Sequence, residues 1–460
     1  MTELIVLVPA ILCWWVARKQ SPAAAFLQVF LPVLLIFPDY YSLPIPSFPD
    51  PTMIQAGILP LGGYLFWSAF VKKEWKFTPT DLFIAAFLGW QVVCEVYNTG
   101  TEKMPDLVFD LITLAILPYM AAKMLIEPNG LRSQVARRFV WCLFIVCVLS
   151  VYEFRMGVSL FRPTLGLFFP NQTPQWVTQM RWGFGRVAGP YGHAISNAVF
   201  IGVACLFHRW LCTTGQWEEK FRFLGSHPFS KQRIIGAVLL AGILMTLSRG
   251  PWLGAIAGAV FVSVGLRPNR RRALTRALLI LGVGGGLVYY GGKAYLAGAS
   301  AFEGVEEQAS AEYRAVLVSQ YEDIVMESPV FGWGRANWPL VPGMLSIDNN
   351  YLFVALGFGL TGLAIFCILF LVALSRIFRD AFFVEQITPR DRMFRFTLFG
   401  ILVSIAISTG TTYISAHMYP LFFVLLGWSE GCLVAKPRVA DAPAMARAAV
   451  GDYSMIRVIA

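Results

Sequence analysis

The sequence predicts an all-α, polytopic transmembrane protein of about 12 to 13 helices, with a large, partly helical segment on one side of the membrane. The first observation behind this is composition. Of 460 residues, 57% are hydrophobic and only 14% charged, with a mean hydropathy of +0.61, whereas a soluble chain of this length needs a charged surface. The second is grouping: the 37 Lys and Arg and 27 Asp and Glu are bunched between apolar runs of roughly 15 to 22 residues, close to the length that crosses a hydrocarbon core as a helix. The third is sign, because the most basic connections carry the Arg and Lys excess of cytoplasmic loops. The net charge of +10 therefore speaks first of topology, and argues against nucleic acid as a partner.

In order, the apolar runs lie at 3–17, 23–37, 53–71, 81–97, 107–126, 139–157, 191–211, 234–247, 251–266, 274–290, 351–375, 396–414 and 418–435. The first, Leu4 to Ala17, follows Met-Thr-Glu with no basic start and precedes Arg18 and Lys19, which predicts a retained helix rather than a cleaved signal peptide. RPNRRRALTR (267–276) holds five arginines and no acid, LRSQVARR (131–138) three arginines, and 375–395 five arginines against three acids, so these connections are expected on the cytoplasmic side. Alternation adds 17–20, 72–76 and the tail from Lys436 to that side. It leaves two large segments outside, 158–190 and 291–350. The second has eight acids against three bases. Within it Leu317, Tyr321, Ile324 and Val325 recur at helical spacing and predict an amphipathic helix along the membrane surface, the alternative being a solvated loop. Residues 1–435 thus form the transmembrane domain, and the Ala-rich tail 436–460 is expected to be poorly ordered.

The eight cysteines fall in or beside apolar runs without a CxxC pair and read as small core residues. The four histidines show no HxxxH or HExxH spacing, so neither a protein-built metal centre nor a cofactor is expected. The glycine run GVGGGLVYYGG (282–292) has no GK[ST] after it; it is expected to allow close helix packing or a kink rather than to bind phosphate.

Ionisable groups at the boundary of a membrane domain are costly unless paired or lining a wet cavity, which makes them functional candidates. Three clusters share the outer side. Segment 159–193 carries Arg162, Arg181 and Arg186 with many aromatics and no acid, a composition suited to a phosphorylated lipid or to headgroup anchoring. LSRGPWLGA (247–255) sets Arg249 beside a Gly-Pro break, pointing into a cavity or snorkelling to the surface. Segment 311–363 brings Asp348 and Asn349 before a long apolar helix, where either residue type can cap it.

The ordered set RVAGPYGH, LSRGPWLG, AEYR with SPVFGWG, and DNNYLFVALGFGLTGL, over residues 180–375, resembles the O-antigen ligase and polymerase family of bacterial membrane glycosyltransferases. The resemblance implies a multi-pass protein of the bacterial inner membrane whose active site faces the periplasm, with 291–350 as the periplasmic catalytic loop. It implies as partners an undecaprenyl-pyrophosphate-linked glycan donor, a glycan or lipid-core acceptor, membrane lipids, and polysaccharide chain-length or export proteins. Ligases of the family typically carry His-Asn where this chain has Asp348-Asn349. An aspartate can take the acceptor's proton as well, and fits the polymerase branch, which joins lipid-linked repeat units.

A lipid pyrophosphate is already a good leaving group, so fixed arginines can stabilise its charge without a metal. Arg249 and Arg186, with Arg314, are the expected pyrophosphate clamp. Asp348 is the expected general base, and Asn349 or His193 holds a sugar hydroxyl. In-line attack would invert the anomeric carbon. A transporter or flippase of lipid-linked glycans, and a scaffold of a polysaccharide secretion complex, are the other readings of a cationic, many-helix protein.

Overall fold

The computed structural model describes residues 2–172, 178–217, 230–297, 306–335, 337–344 and 346–435. The tail 436–460, expected to be poorly ordered, lies outside the described residues. Each expected apolar run falls on a helix: α1 (Val8–Lys19), α2 (Pro22–Ile36), α3 (Met53–Val71), α4 (Pro79–Thr99), α5 (Met104–Ile126), α6 (Arg132–Met156), α7 (Ala194–Thr213), α8 (Lys231–Met245), α9 (Arg249–Gly265), α10 (Arg270–Ala297), α12 (Asn350–Phe383), α13 (Pro389–Thr409) and α14 (Met418–Val434). The remaining long helix, α11 (Glu306–Glu327), fills the second outer segment. Among the described residues, eight of these helices are long and apolar enough to cross a membrane. The chain is an all-α, polytopic membrane protein.

Local sequence explains the helix ends. Thr52 and Gln55 satisfy each other's backbone N–H at the start of α3, Ser230 caps α8, and Thr388 accepts from Asp391 N at the start of α13. Pro32 and Pro118 lie inside α2 and α5, and each follows a wide π-type turn, Phe26–Phe30 and Leu111–Ile116. Such turns accommodate a residue that lacks an N–H and crowds the preceding turn.

The connections sort to two ends. At the basic end, Lys76 donates to the Val434 carbonyl (3.3 Å), Trp428 to Glu127 (2.9 Å), and Arg132 pairs with Glu127 and Asp391. Buried charges there are matched: Lys123 with Asp81 (2.6 Å), and Arg376 with Glu430 (2.9 Å), whose second donor is the Thr80 hydroxyl (2.6 Å). At the far end, Arg181 donates to the Leu247 carbonyl (2.7 Å), Asn350 N to the Thr412 carbonyl (3.1 Å), and His417 Nε2 lies 2.7 Å from the Leu34 carbonyl oxygen. This sorting agrees with the alternation read from the charges.

Two features of the backbone position the site. Gly254 and Gly258 of α9 lie against α13 so closely that an added Cβ would stand 2.6 Å from the Ser404 carbonyl oxygen and 2.5 Å from that of Gly400. The absence of side chains there lets the two helices touch backbone to backbone. The second feature was not expected: α12 is broken at Gly359 (φ 70°, ψ 178°), a conformation that glycine alone adopts readily. The loop SPVFGWG fills the break, with Leu360 N donating to the Pro329 carbonyl (2.7 Å), Trp333 N to Leu356 (2.8 Å) and Gly334 N to Gly357 (2.9 Å). Trp90 of α4 donates to the Phe358 carbonyl (2.9 Å). The polar groups freed by the break are thereby satisfied within protein.

Two expectations are corrected. The apolar stripe of α11 does not lie on a membrane surface: Leu317, Tyr321 and Val325 are buried against Ile347, Leu352, Ala355 and Leu356, because the first turns of α12 supply a complementary face. The glycine run 282–292 makes neither a kink nor, among the described residues, a close contact. It is continuous helix within α10, and an added Cβ at Gly282, Gly284, Gly285, Gly286, Gly291 or Gly292 would meet nothing within 4 Å. Helix α10 continues past residue 291 to Ala297.

Candidate active site

Four stretches converge at the far end. The first is the hairpin that follows α6, in which β1 (Met180–Arg181) pairs antiparallel with β2 (Phe184–Gly185). The backbone after it is fixed by Glu153 of α6, whose two carboxylate oxygens accept from Ala188 N (3.1 Å) and Gly189 N (2.9 Å). Asn197 Nδ2 donates to the Val187 carbonyl from the other side (3.2 Å). Gly189 has φ 58°, and a Cβ there would press on the Asn197 amide at 3.3 Å, so the glycine in VAGP is required by the fold.

The second stretch is the turn between α8 and α9. Leu247 has a left-handed φ of 50°, an uncommon conformation for a branched residue, and its carbonyl is the one Arg181 holds. Arg186 Nη2 donates to the buried Ser248 hydroxyl (3.1 Å), and its Nη1 donates to Gln179 Oε1. Arg249 follows at the first residue of α9 and is exposed. A cation in a first turn is opposed by the helix dipole, so its placement is not explained by helix stability. Gly250 packs on the Thr411 side chain, bringing this turn against the connection between α13 and α14.

The third stretch is the start of α12, which α11 flanks. Arg314 of α11 reaches Asp348 across 3.5 Å (Nη2 to Oδ2), and the Ser346 hydroxyl donates to the other oxygen of Asp348 (2.7 Å). Capping falls to Asn349, whose Oδ1 accepts from Tyr351 N (2.9 Å) and Leu352 N (3.2 Å). Asp348 is therefore not consumed as a cap, and Asn349 keeps only its amide donors for a ligand. The fourth stretch is 410–417, tied to α12 through Asn350, whose Oδ1 accepts from Ile414 N (2.9 Å).

Electrostatically, Arg186 is the centre. Burial first, and then the neighbouring charges of Arg181 and Arg314, push its pKa down to about 10, with Asp348 pulling the other way. Its Nε is buried without a hydrogen-bond partner among the described residues. Arg181, Arg186, Arg314 and Asp348 thus act on one another, and Arg249 lies one residue beyond the Ser248 that Arg186 holds. His193 stands at the start of α7, exposed, its ring 6.4 Å from that of Tyr413.

Arg181, Gln179, Ser248, Glu153 and Tyr413 enter this arrangement without having been singled out as site residues from sequence. Arg181 carried a signal, since it belongs to the acid-free segment 159–193. Glu153 is an acid at the end of an apolar run, which in retrospect is a marker of a buried backbone contact. Tyr413 carried no signal at all.

Helices long and apolar enough to cross a membrane, with arginines gathered around Arg186 and Asp348 at one end, make this a multi-pass membrane protein whose candidate site is suited to an anion. Residues 234–367 match the family model described as O-Antigen ligase. The matched stretch runs from α8 into α12 and contains Arg249, Arg314, Asp348 and Asn349, leaving Arg186 and His193 outside it. The match supports the likeness to the O-antigen ligase and polymerase family that the sequence motifs suggest. No curated protein matches the chain.

Proposed function

We propose that the protein is a glycosyltransferase of the bacterial inner membrane that polymerises undecaprenyl-pyrophosphate-linked repeat units, without a metal and with inversion, at a site on the periplasmic side. The observation that supports the reading is the gathering of Arg181 and Arg314 around Arg186, with Asp348 3.5 Å from Arg314, beside the Ser248–Arg249 turn. Arg186, Arg249 and Arg314 clamp the pyrophosphate, each guanidinium offering a planar fork to phosphate oxygens. The acceptor hydroxyl oxygen forms the new bond to the anomeric carbon while the bond from that carbon to the pyrophosphate oxygen breaks. The leaving oxygen keeps the electron pair as lipid pyrophosphate, and the hydroxyl proton passes to Asp348.

The 3.5 Å Arg314–Asp348 contact is longer than a good charge-assisted hydrogen bond and is readily exchanged for a phosphate oxygen. Donor binding would then draw Arg314 away from Asp348 and free the carboxylate as a base once the leaving group is in place. His193 and the Asn349 amide donors are the groups proposed to hold a sugar hydroxyl.

The second reading, transfer of the glycan to a lipid core, is favoured by the description of the matched family model. Reconstitution of the purified protein in liposomes with a lipid-linked repeat unit separates them. A ladder of multiples with release of lipid pyrophosphate supports polymerisation. Product only after addition of a lipid core means ligation. A change of sidedness without covalent change means transport, and overturns both.

A further inference from the structure

Four rings, none fully buried, form a continuous row at the far end. Trp338 meets Phe353 edge to face at 5.3 Å, Phe353 stacks on Tyr413 at 5.5 Å with planes 19° apart, and Tyr413 meets His193 edge to face at 6.4 Å. They come from four separate stretches: the loop before α12, the first turn of α12, the 410–417 connection and the start of α7. Aromatic residues that merely mark a membrane boundary face lipid around the perimeter, whereas these rings touch one another across the molecule. The row also runs beside the reacting groups. Phe353 lies in the first turn of α12, the helix that Asp348 and Asn349 lead into. Tyr413 feels the charges of both Asp348 and Asp39, which add to burial in raising its hydroxyl pKa. Asp39 is itself held in place, 3.5 Å from Nδ1 of the buried His417.

We propose that this row is a glycan-binding platform, on which pyranose rings of the acceptor lie with their C–H faces on Trp338, Phe353 and Tyr413 and a hydroxyl of the terminal sugar reaches Asp348. The chemistry selects for sugar and against the rest of the donor. Ring faces carry the negative side of the aromatic quadrupole, which attracts the polarised C–H groups of a sugar and repels phosphate oxygens, and Asp39 and Asp348 add to that repulsion. Pyrophosphate is therefore directed to the arginines and the uncharged part of the glycan to the rings. The proposal rests on the transfer reading for its acceptor, but its binding claim can be tested apart from turnover.

The probe is the repeat-unit oligosaccharide, free of lipid and phosphate, released by mild acid from the polysaccharide of the producing cells. It is titrated into the full-length protein in nanodiscs by calorimetry. Trp338→Ala and Tyr413→Ala are expected to weaken binding about fivefold or more, and Tyr413→Phe, which keeps the ring, to stay within about twofold. Where an alanine variant fails to remain monodisperse, Trp338→Leu and Tyr413→Leu, apolar but without a π face, take its place with the same expectation. In turnover assays, Trp338→Ala is expected to raise KM for the acceptor with little change in kcat. Unchanged affinity in the ring-less variants, or a wild-type protein that transfers glycan yet does not bind the oligosaccharide, overturns the platform. Ring-dependent binding by a protein that transfers nothing supports the platform and overturns the transfer reading instead.

Discussion

The two ends of the bundle handle charge in opposite ways. At the basic end, Asp81 meets Lys123, Glu430 meets Arg376, Glu127 and Asp391 share Arg132, and Asp380 meets Arg395. Buried charges arranged in this way hold helices in register, since each would be expensive without its partner. At the far end, Arg186 is set among Arg181 and Arg314 with Asp348 as the opposing charge, and is half desolvated as well. The first arrangement is complete in itself. The second sets like charges beside one another, and in the proposed function an arriving anion relieves their repulsion, which is what would separate a binding site from a structural ion network built of the same residue types.

That contrast yields predictions of decreasing size. Asp348→Asn is expected to lower turnover by about 10²–10⁴-fold with the protein still in the membrane, measured as lipid pyrophosphate release; full activity would remove Asp348 from the reaction. Arg249→Ala and Arg186→Ala are each expected to cost about 10²–10³-fold in kcat, and retention of product yield by either would take that residue out of the clamp. At the other end, Lys123→Met should act on folding alone. It strands Asp81 and is expected to cost about 3–5 kcal/mol, seen as lost yield in detergent, while the surviving protein keeps its specific activity.

The smallest effect is the most diagnostic. Because the pKa of Arg186 is lowered to about 10 while the unfolded side chain stays protonated to higher pH, the unfolded state binds more protons between these values. Stability from this residue therefore rises as pH climbs past 10, and keeping it charged at neutral pH is a cost. Arg186→Gln is thus expected to leave Tm unchanged or raised by a few degrees while lowering transfer as Arg186→Ala does. Inorganic pyrophosphate should raise Tm of the native protein at pH 7 and lose that effect as the pH passes about 10. A lower Tm for Arg186→Gln would mean that its bonds to Gln179 and Ser248 are structural after all.

The bilayer makes much of this fold legible. A span must be apolar over its whole length and basic residues collect on one side, so helix positions and the two ends follow from pattern alone. What the pattern hides is local. Gly359 reads like any glycine in an apolar run, and only the loop at Pro329–Gly334 reveals why the helix breaks there. The glycines of α10 look like packing positions and face open space. The stripe on α11 was visible, but its cover, the first turns of α12, is contiguous with a span and carries no mark of that duty. In the site, Arg186, Arg249, Arg314 and Asp348 stand out as charges beside apolar runs. Tyr413 does not, because an aromatic residue near a span end is commonplace and its meaning comes only from the ring it stacks on.

The solitude of α10 has a consequence for the medium around the protein. Only 6% of its 18-residue apolar window is buried within the chain, so what surrounds it is whatever the bilayer supplies. Of its 28 residues the apolar run covers 274–290, about 26 Å at 1.5 Å per residue, a little short of a hydrocarbon core of about 30 Å, and a span of that length is met by local thinning of the bilayer and snorkelling of its flanking arginines. The next helix in the chain carries Arg314. Under the proposed transfer reading, bilayer thickness thus becomes a lever on the geometry around Arg314, and the same protein should work at different rates in short-chain and long-chain lipids.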